Sequence, residues 1–144
     1  MTDDIAFRIG RLEAQAAVAE LVHAYARAIR RERYEDVAAL FVPDGTFEVR
    51  GGKPDRRDFI LRSRFEDPQA LVAFLLEGKG RPHAVPLIHN LMIEVRGDTA
   101  SANSVMAAPI FGTQREILGE YHDSFVRHDG QWRFSARIYT VFEV

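Results

Sequence analysis

The stretch GEYHDSFVRHDGQWRFSAR, residues 119–137, decides the fold. It contains two runs rich in β-branched and aromatic residues, separated by Asp129-Gly130, and this dipeptide between such runs is a strong signal for a two-residue hairpin turn. Two further runs of the same kind precede it, so the second half of the chain is predicted to be an antiparallel meander. The predicted strands are Leu87–Val95, Ala100–Phe111, Glu116–Arg127 and Trp132–Phe142, joined at Gly97-Asp98, Thr113-Gln114 and Asp129-Gly130.

The first half of the chain has the period of helices instead. Between Leu12 and Arg31 apolar residues recur every three or four positions, which predicts an amphipathic helix. Asp67-Pro68 is an N-cap followed by proline at the first helical position, so a helix is predicted over Leu71–Leu76. The remaining predictions are a short helix at Tyr34–Phe41, a turn at Pro43-Asp44-Gly45, a strand at Thr46–Arg50 and a helix at Asp58–Phe65. Together these elements predict a single α+β domain over residues 1–144, with helices covering one face of the sheet.

The composition narrows the class of protein. The 144 residues are 47% apolar and 28% charged, the profile of one soluble globular domain. A net charge of -2 argues against nucleic-acid and anionic-membrane binding, and the lack of cysteine excludes disulfides and thiolate ligands. No signal-peptide pattern opens the sequence, and the longest apolar run, Ala70–Leu76, is too short to span a bilayer. We therefore expect a cytoplasmic protein.

The turns also predict which side chains share a face of the sheet. If each turn has two residues, His89 lies opposite Met106, Met106 opposite Tyr121, and Tyr121 opposite Ile138. This row belongs to the apolar face under the helices. The same face also collects Asp123 and Trp132.

Arg137 falls on the outer face by the same counting. It shares a row there with Asn90, Val105 and His122. A single β-bulge would turn Arg137 inward, and there it is predicted to bind the substrate.

His89 is the leading candidate for a catalytic group. Imidazole titrates near neutrality, which suits a general base, but a core histidine hydrogen-bonded to Asp123 or to a main-chain carbonyl is the alternative. Asp123 could orient His89, act as the base itself or cap a main-chain group, because a carboxylate on an apolar face needs a partner. Tyr121 could offer its hydroxyl to a ligand carbonyl or simply fill the core.

Other side chains are predicted to bind a substrate. Tyr25 lies on the apolar stripe of the first helix and should face the sheet, as should Met106 and Trp132. Arg30 ends that helix, where it either complements the helix dipole or binds an anionic group. The histidines at 83, 89 and 122 lack metal-ligand spacing, so no metal site is predicted.

Three pieces of the sequence carry a family resemblance: YARAIRRERYEDVAALFVPDGTFEV (25–49), HNLMIEVRGDTASA (89–102) and GEYHDSFVRHDGQWRFSAR (119–137). In order and spacing they resemble the SnoaL-like branch of the NTF2-like superfamily. The resemblance implies a cone-shaped α+β domain, in which N-terminal helices pack on a curved antiparallel sheet and enclose a pocket.

The resemblance also implies acid–base chemistry without a cofactor. In the dehydratase and dehydrochlorinase relatives a histidine–aspartate pair removes the proton. That aspartate aligns with Arg30 and that histidine aligns near Pro86, so this chain has neither residue. His89 is then either a relocated base or a residue of the HN-type variant common among uncharacterised members. Tyr121 stands in the G-x-Y-x-D stretch where relatives point a side chain into the pocket.

The predicted function is therefore a cofactor-independent lyase, isomerase or cyclase. Its substrate would be a small hydrophobic or polycyclic ketone-like molecule, with His89 as the acid or base. The alternative is a non-catalytic small-ligand-binding or dimerisation domain of the same fold, which the missing histidine–aspartate pair supports. Because relatives often pair through the outer face of the sheet, a homodimer through that face is expected.

Overall fold

A computed structural model describes residues 2–55 and 57–143. Its helices are α1 (Thr2–Arg30) and α2 (Pro68–Glu77), and two 3₁₀ turns at Tyr34–Asp36 and Ala38–Leu40 follow α1. The strands are β1 (Phe41–Gly52), β2 (Phe59–Phe65), β3 (Leu87–Arg96), β4 (Thr99–Pro109), β5 (Glu116–His128) and β6 (Gln131–Phe142). The predicted α+β class and the four-stranded meander are confirmed.

All six strands form one curved, unclosed sheet in the order β2-β1-β6-β5-β4-β3. Neighbouring strands are antiparallel except β1 and β6, which run parallel. The turn predicted at Pro43-Asp44-Gly45 is wrong, because these residues continue β1. They lie where the pairing with β6 shifts between Phe41 and Thr46, so proline and glycine mark an irregular strand and not a chain reversal.

The two helices cover one face of the sheet, called the inner face below, and the opposite side is the outer face. α1 begins at Thr2, well before the predicted start at Leu12, and two acidic residues in its first turn, Asp3 and Asp4, favour that start through the helix dipole. Its Val18 and Val22 are completely buried against the sheet. The inner face supplies the other half of the core, including Met106, Phe125 and Phe134.

The helix predicted over Asp58–Phe65 is wrong. Residues Phe59–Phe65 form β2, an edge strand that pairs antiparallel with β1. Only its Phe65 packs against the core, opposite Phe47. Pairing with β1 therefore overrides a local pattern that also fitted a helix.

α2 begins where the sequence predicts. The Asp67 side chain accepts a hydrogen bond of 2.8 Å from the backbone N–H of Ala70, and Pro68 occupies the first turn. Leu71 and Val72 are the buried hydrophobic residues of this helix. Among residues 2–55 and 57–143, no helix is long and apolar enough to cross a membrane.

Two β-bulges, one in β3 and one in β6, change which side chains point to the inner face. In β3 the register shifts between His89 and Met92, and Asn90 there has a left-handed φ of 52°. In β6 Phe134 pairs with Phe125 but Ala136 pairs with Ser124, so Ser135 is the extra residue. A one-residue shift moves every following side chain to the opposite face, so each bulge changes which residues look inward.

The connection between β4 and β5 is longer than predicted. Pro109 pairs with Glu116, which leaves residues 110–115 as the loop in place of a two-residue turn at Thr113-Gln114. The pairing moves by two residues, so Met106 lies opposite Gly119 and Tyr121 opposite Ser104. Because the side-chain period of a strand is two, Met106 and Tyr121 keep their predicted face.

Candidate functional site

A cavity of about 170 Å³ lies between α1, α2 and the inner face of the sheet. We call it the tyrosine cavity, because three of its lining residues are tyrosines. The rest of its wall is almost entirely apolar. The lining residues are Tyr25, Ile29, Phe47, Val49, Phe65, Leu71, Phe74, Leu75, Ala84, Pro86, Met106, Tyr121 and Tyr139.

The three tyrosines form one contiguous aromatic cluster. Tyr25 projects from α1 and meets Tyr121 edge to face, with ring centroids 6.2 Å apart, while Tyr121 and Tyr139 are neighbours on β5 and β6 at 5.1 Å. Burial raises the pKa of each of these hydroxyls above its ordinary value. All three are therefore neutral hydrogen-bond donors at physiological pH.

A buried ion pair lies beside this cluster. Asp123 and Arg137 are directly opposed on β5 and β6, and both side chains are fully inaccessible to solvent. Arg137 Nε lies 2.9 Å from Asp123 Oδ1, although off the angle of a hydrogen bond, and Arg137 Nη2 donates a long hydrogen bond of 3.5 Å to Oδ2. Burial raises the pKa of Asp123 to about 6 even though the positive charge of Arg137 lowers it. The Asp123 carboxylate can therefore accept a proton near neutral pH.

Arg137 also stacks on the tyrosines. Its guanidinium carbon lies 3.5 Å from the ring centroid of Tyr121 and 4.4 Å from that of Tyr25. Such cation–π contacts stabilise a buried arginine where water is excluded. The guanidinium of Arg137 therefore packs against Tyr25 and Tyr121, two residues that line the cavity, but Arg137 itself does not line it.

Several buried polar atoms at this site have no hydrogen-bond partner in the described chain. They include Ser104 Oγ, Arg137 Nη1 and Tyr139 Oη. Ser104 is opposite Tyr121 on the inner face, and Tyr139 is opposite it on the other side. Buried polar groups normally have a hydrogen-bond partner, so these atoms are free to form hydrogen bonds with a ligand or with water.

The structure brings together most of the predicted pocket residues. Tyr25, Tyr121 and Met106 line the tyrosine cavity, as expected from the apolar stripe and the inner-face row. Asp123 is on the inner face but behind the wall, against Arg137. Arg137 faces inward and not outward as the simple register predicts, because the bulge at Ser135 turns it.

His89 is not in the cavity. The bulge at Asn90 places it opposite Val105, on the outer face, where it is exposed, and Ile88 takes the inward position opposite Met106. The predicted row from His89 through Tyr121 to Ile138 is therefore wrong at both ends: the second bulge likewise turns Ile138 outward, and Tyr139 replaces it beside Tyr121.

Two predicted substrate-binding residues also lie elsewhere. Arg30 is exposed at the end of α1, because Tyr25 and Ile29 occupy the inward positions of the last turns. Trp132 packs on the inner face but lines a surface groove with Ala17 and Leu21 of α1, away from the tyrosines.

Sequence reasoning missed Tyr139 and Ser104. Simple counting from Asp129-Gly130 puts Tyr139 on the outer face, and only the bulge at Ser135 brings it inward. Ser104 falls on the inner face by any count, but a lone serine on an apolar strand gives no functional signal. Within the described residues no group of three or more histidine, aspartate or glutamate side chains is placed to hold a metal ion.

Comparison with known proteins now places the chain in a family. The family model described as a SnoaL-like domain matches residues 10–138. The chain belongs to the SnoaL-like family. The match covers α1 from Gly10 onward, α2, β1 to β5 and β6 as far as Ile138, so every residue that lines the tyrosine cavity except Tyr139 lies within it.

One curated protein and several solved structures are similar to this chain over most of its length. The chain is 29% identical over 136 residues to an uncharacterized protein of Mycobacterium tuberculosis, covering 90% of this chain and 84% of that protein. An NTF2-like protein with a cystatin-like fold from Novosphingobium aromaticivorans has a TM-score of 0.75 at 21% identity, over 96% of this chain and 88% of its own. A candidate scytalone dehydratase from the same organism has a TM-score of 0.71 at 25% identity, over 98% and 88%.

Proposed function

We propose that this protein is a cofactor-independent lyase or isomerase that acts on a small, single-ring, ketone-like compound. The observation that carries the proposal is the tyrosine cavity: an apolar pocket whose polar groups are neutral phenols, backed by a buried ion pair. Phenols held in place in an apolar pocket stabilise an oxyanion as it forms, which is the shared requirement of enolate chemistry. The structural likeness to a candidate scytalone dehydratase supports the reaction class.

The size of the cavity limits the substrate. A void of about 150 Å³ lined by apolar side chains accommodates one benzene molecule. The tyrosine cavity, at about 170 Å³, therefore fits one six-membered ring with a small substituent. This narrows the small hydrophobic or polycyclic molecule expected from the sequence to a single-ring compound.

Each polar group has a place in the proposed reaction. Tyr139, whose hydroxyl is buried without a partner, donates a hydrogen bond to the substrate carbonyl. Asp123 accepts the proton from the adjacent carbon, since it is the inner-face carboxylate and its pKa of about 6 suits a general base. Asp123 does not line the cavity, so in this proposal a water molecule takes the proton from the carbon as it gives one to the Asp123 carboxylate. Arg137 holds Asp123 in place and balances the negative charge of the site.

A second candidate function is binding without chemistry. It is favoured by the fact that no carboxylate or imidazole is among the described side chains that line the tyrosine cavity. In that case the three phenols would recognise a ring-bearing ligand by packing and hydrogen bonds alone.

Proton exchange separates the two candidates without knowledge of the natural substrate. The protein is incubated in D₂O with cyclohex-3-en-1-one, and ¹H NMR follows loss of the protons next to the carbonyl and conversion to cyclohex-2-en-1-one. Catalysed exchange is expected, with loss of exchange in Asp123→Asn and a rate lowered about three- to tenfold in Tyr139→Phe, as for one lost neutral hydrogen bond.

His89→Ala is the matched control, because His89 lies on the outer face. Its rate should equal that of the wild type. Ring binding, seen as line broadening of the ketone signals, combined with no exchange above the buffer rate would establish the binding function instead.

We also propose that the protein forms a homodimer through the outer face. That face exposes large apolar side chains around a charged centre, among them Leu61, Leu87, Met92 and Leu118, each between 48% and 66% exposed. Apolar groups of this size on a flat sheet are characteristic of an interface.

A further inference from the structure

The first three turns of α1 are exposed to solvent, although Phe7 and Gly10 line a groove with Val95 and Arg127 at the end of the sheet. Residues 3–13 are all exposed, and burial of the helix begins only at Ala14. Four large apolar side chains in this part are about half exposed or more, and three of them lie on one side of the helix: Ile5 at 53%, Ile9 at 49% and Leu12 at 63%. Exposed apolar side chains that line up along one side of a helix offer a surface for a partner.

These side chains form a heptad seam. Ile5, Ile9, Leu12, Ala16 and Ala19 follow spacings of four, three, four and three residues, the a/d pattern of a coiled coil with Ile9 and Ala16 at a. At about 100° per residue, the seam lies on the side of α1 opposite Ala14 and Val18, which pack on the sheet. The same helix therefore has one apolar face for its own domain and a second that its own domain leaves uncovered.

The charges that flank the seam are complementary to a second copy. Arg8 is at g and Glu13 at the following e, and in a parallel pair of identical helices g of one chain meets that e of the other. Neither side chain makes an ion pair with the described part of its own chain, although both are exposed. Gln15 and Glu20 occupy the next g and e positions, where an amide meets a carboxylate.

We propose that the outward face of α1, residues 5–19, pairs with the same face of a second copy as a short parallel coiled coil. The contact is isologous, so each dimer has two Arg8–Glu13 pairs. An antiparallel pair would place g against g and e against e, which sets glutamates beside each other and loses both ion pairs. Because the seam faces away from the sheet, the two domains lie on opposite sides of the coil and do not collide. This contact is separate from the outer-face dimer.

Sedimentation equilibrium of the full chain tests the proposal. Ile9→Glu with Leu12→Glu should halve the mass found for the wild type at equal concentration. Phe7→Ser is the matched control: Phe7 is 69% exposed on the same helix but points away from the seam, so the mass should stay at the wild-type value. Circular dichroism and the melting temperature confirm that each variant is folded, since none of these residues is in the core.

Charge reversal tests the parallel register. Arg8→Glu alone and Glu13→Arg alone should each weaken association about tenfold, as two attractive contacts become repulsive, and the double variant should restore it. The proposal is overturned if the seam variant keeps the wild-type mass, if Phe7→Ser lowers the mass equally, or if the double charge reversal fails to restore association.

Discussion

At the scale of single residues, the Asp123–Arg137 pair is the unusual feature of this protein. Two full charges are completely inaccessible to solvent in an otherwise apolar interior. Removing charges from water is costly, and the two tyrosine rings against Arg137 offset only part of this cost. A pair of this kind is weak evidence for stability, so its presence supports a role at the site.

The raised pKa of Asp123 has a consequence for stability. Its carboxyl binds a proton more tightly in the folded protein, with a pKa of about 6, than in the unfolded chain, with a value of 3.8. The contribution of Asp123 is therefore fully present below about pH 4 and is lost as the pH rises to about 6. Relative to Asp123→Asn, the free energy of unfolding of the wild type should fall by about 3 kcal/mol across this window. Urea titrations of both proteins at a series of pH values measure the difference, and a difference independent of pH would contradict the assignment.

The bulge at Asn90 gives a second residue-scale expectation. Its φ of 52° is tolerated by asparagine and glycine but is strained for a β-branched residue. Asn90→Val should destabilise the protein by about 1–2 kcal/mol, while Asn90→Gly should leave it within about 0.5 kcal/mol of the wild type. Thermal unfolding of the two variants provides the measurement; equal melting temperatures would show that the left-handed conformation is not required.

At the scale of elements, the two-residue turns at Gly97-Asp98 and Asp129-Gly130 and the N-cap of α2 were predictable, whereas the β4–β5 loop and the bulges were not. Asp129-Gly130 fixes the register near the turn, so that His128 pairs with Gln131 as predicted. Beyond Ser135 that register fails, because nothing local distinguishes an extra serine from a paired one. The same holds for Asn90: asparagine tolerates the left-handed backbone conformation found there, but an asparagine in the sequence does not by itself predict it. The sequence therefore identifies the strands, while the bulges that exchange His89 for Ile88 and Ile138 for Tyr139 come from tertiary packing.

The N-cap of α2 is an element whose contribution can be measured directly. Asp67→Ala removes the acceptor of the Ala70 N–H and should lower the free energy of unfolding by about 1 kcal/mol. Asp67→Ser is the matched variant, because a serine hydroxyl can replace the acceptor and should recover most of the loss. If alanine and serine behaved alike, the side-chain cap would have no part in starting α2.

At the scale of the whole molecule, the fold could be predicted from the sequence, but the site could be predicted only in part. The periodicity of the sequence correctly predicts that Tyr25, Tyr121 and Met106 face the cavity. The two-residue shift in the pairing of β4 with β5 does not change this, because the side-chain period of a strand is two. The orientation of Arg137, by contrast, depends on one inserted residue, Ser135, and no local sequence signal marks this insertion. The volume of the cavity could not be predicted at all, since it is what remains after α1, α2 and six strands have packed.

The two proposed contacts predict a defined assembly. If both the outer face and the α1 seam pair with other copies, and their two-fold axes are perpendicular and intersect so that the assembly closes, the wild type should have four times the mass of one chain. Leu87→Glu with Leu118→Glu should reduce this to two chains, since both residues are about half exposed on the outer face. Adding the α1 seam substitutions should give a monomer. Light scattering after gel filtration reads these masses, and an outer-face variant with unchanged mass would exclude that interface.

The most direct test of the central claim is a crystal structure of the protein soaked with 4-bromophenol, in which the anomalous signal of bromine locates the ring. The account predicts a bromine peak inside the tyrosine cavity, with the ring against Phe47 and Met106 and the ligand oxygen within hydrogen-bond distance of Tyr139 Oη. Bromine sites confined to the surface, with the cavity unaltered, would contradict it.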